Sequence, residues 1–253
     1  MNIEDALPHP LVIVKAGDTF DELRNEHGDF EHWIAEGLGD TCLPVVVLDP
    51  RRGDTLPAPA QLSAVVLSGS HSMVSHREDW SEATAAWLAS VVRQGKPVLG
   101  ICWGHQLLAH SLGGEADDHP GGLEIGTVTV SLTDASTDDP LFQGLPREFP
   151  ANVVHRQSAL RLPPGAVRLA GNAFEPHQAF RVGERAWGVQ FHPEFDAAAM
   201  RGYVDALAED LRAEGVDPDA LREDVRATPA AAQLLGRFAR LAEAQDATAS
   251  RLR

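Results

Sequence analysis

The sequence predicts an α/β protein: an open, mostly parallel, twisted sheet flanked by helices, with a small antiparallel portion and a set of C-terminal helices. Three observations carry that reading. Short apolar, β-branched runs alternate with helical patterns through the first two thirds of the chain, the order that builds parallel sheets. The texture then changes to strict alternation, as in antiparallel strands with one solvated face. The end of the chain is rich in Ala, Leu, Arg and Glu, broken only by Pro218 and Pro229.

The first strand candidates are Leu11–Lys15, Val45–Leu48, Ala64–Leu67 and Val98–Ile101. Each is nearly all apolar, so each is expected to be covered on both faces. The clearest helix runs from Ser81 to Gln94, with Trp87, Leu88, Val91 and Val92 on one side, until Gly95-Lys96-Pro97 stops it. Alternating segments at Thr127–Leu132, Ala166–Leu169 and Ala179–Val182 predict the antiparallel portion, and Trp187–Phe191 returns to an apolar run. Three helices are expected after Asp196: Ala197 to Glu214, Pro218 to Arg226 and Pro229 to about Ala244. Both prolines follow an Asp or a Thr, where a first-turn proline is tolerated.

Composition narrows the function classes. The 253 residues carry a formal net charge of −16, which argues against nucleic acid or an anionic membrane as the main partner. No apolar run approaches the ~20 residues of a membrane helix. The opening MNIEDALPHP has no basic stretch of the secretory type. Two cysteines, Cys42 and Cys102, make no disulfide framework, so a reducing, cytoplasmic setting is expected. The 11 histidines fall at no zinc-ligand spacing; His71 and His76 lie in a loop-like stretch without a neighbouring cysteine. No metal and no organic cofactor are expected.

The chemistry concentrates in Pro97-Val98-Leu99-Gly100-Ile101-Cys102-Trp103-Gly104-His105-Gln106. A buried strand ends in Gly-x-Cys-x-Gly and a helix opens at once, which presents a nucleophile at the tip of the sheet. The helix N-terminus favours a thiolate over a thiol, and the Trp103 N–H can donate to a developing oxyanion. Alone, Cys102 fits an inert buried cysteine equally well; Cys42, without such a context, reads as core packing. A thiolate needs a base, and the base an orienting acceptor. Gly188-Val189-Gln190-Phe191-His192-Pro193-Glu194 supplies both, after an apolar strand and at the sheet edge where sites form.

Gly-Ile-Cys-Trp-Gly-His-Gln together with Gln-Phe-His-Pro-Glu resembles the class I, or triad, glutamine amidotransferases, the flavodoxin-like glutaminase domains of the guanylate-synthetase type. The resemblance implies Cys102 as nucleophile, His192 as general base and acid, and Glu194 as the acid that orients it. Val66-Leu67-Ser68-Gly69-Ser70 is similar to the family's oxyanion loop, so backbone N–H groups of Gly69 or Ser70 are expected to join that of Trp103. Gln106, His155, Arg156 and Gln157 are the implied substrate-binding residues, although Arg156-Gln157 stands where relatives carry small or acidic residues. Lys15–Phe20 and Gly28–Ile34 are similar to stand-alone members of this kind.

The implied domain covers residues 1–196, with 197–253 as a helical extension packed on or near it. No Gly-rich phosphate loop follows Asp196, so a free-standing glutaminase is expected, with glutamine or a γ-glutamyl compound as substrate and a separate synthetase as a possible partner. Two alternatives accompany it: a γ-glutamyl hydrolase or peptidase using the same triad, and a non-catalytic binding or regulatory protein on this scaffold. The sequence fixes no oligomeric state.

Overall fold

The computed structural model describes residues 9–251. The chain begins with β1 (Leu11–Val14), then α1 (Asp21–His27), α2 (Phe30–Leu38), β2 (Val45–Leu48), β3 (Ala64–Leu67) and α3 (Asp79–Arg93). Next come β4 (Val98–Ile101) and α4 (Trp103–Ser111). Strands β5 (Glu115–Asp118), β6 (Glu124–Leu132), β7 (Glu148–His155), β8 (Gln157–Arg161), β9 (Val167–Gly171), β10 (Ala179–Val182) and β11 (Ala186–Val189) follow. Four helices end the described chain: α5 (Ala197–Ala206), α6 (Ala208–Ala213), α7 (Pro218–Asp224) and α8 (Pro229–Arg251).

Nine strands form one sheet in the order β2-β1-β3-β4-β11-β10-β9-β6-β7. From β2 to β11 neighbours are parallel; from β11 to β7 they are antiparallel. A separate ribbon pairs β5 with β8. The strand runs legible in the sequence are the parallel half, whose strands are largely apolar, together with β6, β9 and β10 of the antiparallel half, whose alternation marks them. Strands β5, β7 and β8 escape that signal. β5 is Glu-Ala-Asp-Asp, and β7 carries Pro150 and Asn152, which it accommodates as the edge strand of the sheet.

Two apolar layers cover the sheet. On one face Val12, Val14, Val65, Leu67 and Val98 meet Leu88 and Val91 of α3 and Trp103, Leu107 and Leu108 of α4. On the other, Leu11, Ile13, Leu99, Ile101 and Trp187 meet Ile34 of α2 and Leu234, Leu235 and Phe238 of α8. A third cluster joins Phe30, Trp33, Phe195, Met200, Tyr203, Val204 and Leu211 and roofs the C-terminal end of the parallel strands. Among the described residues, no helix is long and apolar enough to cross a membrane.

Four expectations are corrected here. β2 is not covered on both faces: it is an edge strand, and Val45, Val46 and Val47 are each about two-fifths open, at 38%, 38% and 42%. Cys42 is exposed rather than part of the core; its backbone N–H donates to Glu243 Oε1 at 2.7 Å. The helix expected from Ala197 to Glu214 is broken at Leu207, where the turn brings Leu207 over the cavity described below while Leu211 stays in the third cluster. Helix α8 runs past Ala244 to Arg251. Its apolar period fades there, but polar contacts continue: Gln245 Nε2 donates to Gly95 O at 2.9 Å and Asp246 Oδ1 accepts from Ser63 Oγ at 2.6 Å.

Phe238 is fully buried, with its ring centroid 6.4 Å from that of Trp187. Phe238→Ala is expected to cost about 3–5 kcal/mol of folding stability, the range for truncating a buried phenylalanine. The measurement is the shift in urea midpoint at unchanged slope.

Candidate active site

Strand β4 ends at Ile101, in register with Val189 of β11. The next residue, Cys102, adopts φ 50°, ψ −101°, a conformation an L-residue enters only under constraint. Its N–H donates to Val189 O at 2.8 Å, and its carbonyl accepts from Gln106 N at 3.1 Å as α4 begins. Gly104 is obligatory in that turn, because a Cβ there would lie 2.7 Å from both Leu67 Cβ and Leu67 O. The sulfur, nearly buried, donates to Val154 O at 3.7 Å. No side chain caps α4 at Cys102, so the partial positive charge of the helix N-terminus faces the thiol's surroundings. His105, one turn on, packs at 4.8 Å against Phe180; burial pushes it down to about 3, so it is neutral.

The parallel register also delivers His192. Its N–H donates to Asn152 O at 2.8 Å, and Asn152 Nδ2 donates to Phe195 O at 3.2 Å, so β7 clamps both sides of the His-Pro-Glu turn. Glu194 Oε1 then lies 2.7 Å from His192 Nδ1, with both side chains almost wholly buried. Phe195 stacks on the imidazole at 4.1 Å, with 19° between the planes. Burial works against the charged ring; the Glu194 carboxylate and then the Cys102 sulfur outweigh it and raise His192 to about 10. The ring is thus held as an imidazolium through neutral pH. Nε2, the ring nitrogen not facing Glu194, has no hydrogen-bond partner.

Gly69 closes the third side. A Cβ on it would stand 3.0 Å from His192 Cε1, so glycine lets the loop after β3 approach the ring more closely than a side chain would without a small shift of the ring. That loop is stitched down by Ser68 Oγ, which accepts from Ala16 N at 2.9 Å, and by Ser70 Oγ, which donates to Ala16 O at 2.8 Å. Ser70 and Trp103 line the same cavity of about 260 Å³ as Cys102 and His192. Trp103 is braced by Trp80, stacked at 5.1 Å.

The four expected substrate-binding residues, Gln106, His155, Arg156 and Gln157, also reach this cavity, but their polar groups differ in availability. Gln106 Nε2 donates to Gln157 O at 2.7 Å and to Gln190 Oε1 at 3.1 Å. His155 has Nε2 at 2.8 Å from Glu124 Oε2 and Nδ1 at 3.0 Å from Gln157 O. Gln157 Nε2 donates to Ser75 Oγ and Asp118 Oδ1, at 2.6 and 2.9 Å. These three side chains build the wall. Arg156 stands at the lip, half exposed, paired to Glu214.

Other wall residues gave no signal in the sequence. His71, set aside above as a loop histidine, sits at the mouth with its ring 4.7 Å from Phe20, and Nε2 lies 3.3 Å from Tyr203 Oη. Its packing and then the nearby His192 charge hold its pKa below the ordinary value. Tyr203 comes from α5, and its hydroxyl accepts from Thr19 Oγ1 at 3.1 Å. Only tertiary contact brings these residues together, so no spacing could have shown it. Among the described residues, no three His, Cys, Asp or Glu side chains are grouped to hold a metal ion.

A thiol on a strand-to-helix elbow, beside a buried imidazole–carboxylate pair at the end of a parallel sheet, has the layout of an enzyme with a cysteine nucleophile. The family model described as glutamine amidotransferase class-I matches residues 23–204, and the chain belongs to that family. It is 38% identical over 172 residues to a glutamine-hydrolysing GMP synthase of Aeropyrum pernix, an alignment covering 66% of this chain and 31% of that protein. Over 170 residues it is 31% identical to the corresponding protein of Pyrobaculum aerophilum, covering 67% and 32%. The chain therefore spans about a third of the length of these curated relatives. The fold is similar to that of a glutamine amidotransferase from Thermotoga maritima, with a TM-score of 0.72, 24% identity, and 92% and 98% of the two chains covered.

The pairing of His192 with Glu194 is open to direct test. In Glu194→Gln the carboxylate charge is gone and burial dominates, so the His192 pKa is expected to fall by roughly one unit or more. Imidazole nitrogen shifts followed by NMR against pH would show the ring deprotonating at lower pH than in the unaltered protein.

Proposed function

We propose that the protein hydrolyses the γ-amide of glutamine through a γ-glutamyl thioester on Cys102. The observation that carries this reading is the facing of Cys102, on its constrained elbow, with the buried His192–Glu194 pair across one cavity. The thiolate attacks the γ-carbonyl carbon, forming the C–S bond. The developing oxyanion takes hydrogen bonds from the backbone N–H of Trp103 and of Gly69 or Ser70. His192 gives its Nε2 proton to the leaving nitrogen as the C–N bond breaks and ammonia departs. Water then attacks the thioester, His192 accepts its proton, and the C–S bond breaks to release glutamate. Glu194 keeps the ring in one orientation and stabilises its charge.

The likeness to glutamine-hydrolysing GMP synthases supports a partner that consumes the ammonia, a separate synthetase of that reaction type. The free thiols of Cys42 and Cys102 fit a reducing compartment, taken here as the cytoplasm. A second reading, hydrolysis of γ-glutamyl conjugates, is favoured by the apolar part of the cavity wall. Phe20, Met73, Leu123 and Leu207 offer a surface for an apolar leaving amine that ammonia does not need.

The test is glutamate release from glutamine beside Cys102→Ala. Turnover should fall in the variant by at least about 10³-fold, since the nucleophile is the group the chemistry is built on. Ammonia release that rises when a synthetase is added supports the partner. Turnover that persists in Cys102→Ala overturns the mechanism, and faster cleavage of γ-glutamyl anilides than of glutamine favours the second reading.

A further inference from the structure

Donors that stabilise an oxyanion are effective only when they are already in place as the charge develops. In the proposed hydrolysis one of them comes from the loop after β3, at Gly69 or Ser70. The inner side of that loop is secured to the end of β1. Ser68 N donates to Val14 O at 3.1 Å, and a Cβ on Gly17 would stand only 2.6 Å from Ser70 Cα, so the two segments lie in close contact. Further out the backbone gives no such hold. Among the described residues, Gly69 to Ser72 make no backbone–backbone hydrogen bond to another segment. The outer side of the loop is held through a side chain, that of His71.

The His71 ring lies 4.7 Å from Phe20 and 5.9 Å from Tyr203, and its Nε2 is 3.3 Å from Tyr203 Oη. Tyr203 is 2% exposed, and a buried hydroxyl needs partners. Thr19 Oγ1 donates to it at 3.1 Å, which leaves the tyrosine's own proton for His71 Nε2. Thr19 is itself fixed. Its N–H donates to Asp29 Oδ1 at 2.8 Å, and Asp29 also takes Lys15 Nζ at 2.7 Å. The bond requires a neutral His71 with its proton on Nδ1. Burial first, and the charge on His192 second, favour that form, against a weaker pull from Asp29 and Asp18. A phenylalanine would serve packing alone; the hydroxyl adds a link between a fixed segment and the loop.

We propose that Tyr203 is a positioning residue for the hydrolysis: through its bond to His71 it holds the loop after β3 where the Gly69 and Ser70 N–H groups meet the oxyanion. The inference rests on the reading of this loop as an oxyanion donor and gives α5 a part in the chemistry. Tyr203 acts through the loop, not on the reacting atoms.

The first measurement needs no substrate. Ser72 N donates to Ser70 Oγ at 3.0 Å, so exchange of the Ser72 amide, followed by NMR, reports how firmly the loop is held. Tyr203→Phe keeps the ring and loses the hydroxyl. Exchange at Ser72 is expected to quicken about fivefold, the scale of one neutral hydrogen bond, beyond any change at the Cys102 amide. The second measurement is glutamate release. In Tyr203→Phe kcat should fall about tenfold with KM within about twofold, a smaller loss than removal of an oxyanion donor. Alkylation of Cys102 by iodoacetamide, read on its peptide by mass spectrometry, forms no oxyanion and should keep its rate. His71→Leu should match Tyr203→Phe, the double variant should be no worse than either, and His71→Gln, whose amide oxygen can accept the tyrosine proton, should recover most of the loss. Unchanged exchange at Ser72 overturns the proposal. So does a loss carried by KM, an equal loss in alkylation rate, or additive losses in the double variant. Absence of glutamate release by the unaltered protein removes the glutaminase reading by itself, and exchange at Ser72 then still decides whether Tyr203 holds the loop.

Discussion

The backbone of Cys102 holds a conformation that costs on the order of 1–3 kcal/mol for a residue with a side chain, and much of the surrounding architecture enforces it. Parallel pairing of β4 with β11 pins its N–H to Val189. Helix α4 starts on its carbonyl, and Gly104 lets that helix press onto Leu67 at the end of β3. Because β4 and β11 share a register, the thiol leaves the sheet beside the turn that carries His192. The site is a consequence of strand pairing, with few degrees of freedom left to side-chain choice. A looser elbow would swing the sulfur away from an imidazole that is fixed independently by Asn152, Phe195 and Glu194.

Electrostatics follows from the same enclosure. Two ionisable groups in the interior are unfavourable unless they face each other with good geometry, and Glu194 faces His192 at 2.7 Å. One oxygen of Glu194 and Nε2 of His192 have no hydrogen-bond partner, so the pair is less than fully satisfied. Buried polar groups in that condition are costly, and functional sites are where such costs are tolerated. Phe195 and Phe30 wall off the ring, strengthening the Glu194 interaction through the low local dielectric. The imidazolium is therefore sustained by the Glu194 carboxylate and, after it, the Cys102 sulfur.

How much of this was legible in the sequence depends on the range of the interaction. Val98–Ile101 and the Gly-x-Cys-x-Gly turn are local features, and their apolar run and small residues are visible at once. The His-Pro-Glu turn is local too, and its place after an apolar strand fixes the sheet edge it serves. β7 was illegible because an edge strand tolerates Pro150 and Asn152, yet Asn152 is what clamps the His192 turn. Cys42 was misread because hydrophobic character says nothing about whether a short connection faces out. His71 and Tyr203 are 132 positions apart, and no periodicity links a loop to a helix across that distance.

The chain after Asp196 shows how the fold divides its work. Helix α8 is a structural element: Leu234, Leu235 and Phe238 complete the core beneath the sheet, and none of its residues lines the cavity that holds Cys102 and His192. Helices α5 and α6 take a different role, since the break at Leu207 sends Tyr203 and Leu207 to the cavity and carries Glu214 to Arg156. Moving that break by one residue would rotate the following side chains by about 100° and part Glu214 from Arg156. The sheet thus sets Cys102 beside the His192 turn, while a short, bent helical arm supplies Tyr203 and Leu207 to the cavity wall. The arm is tied to the sheet end through core packing as well as through the cavity, since the Tyr203 ring lies 4.9 Å from Phe195, the residue stacked on His192.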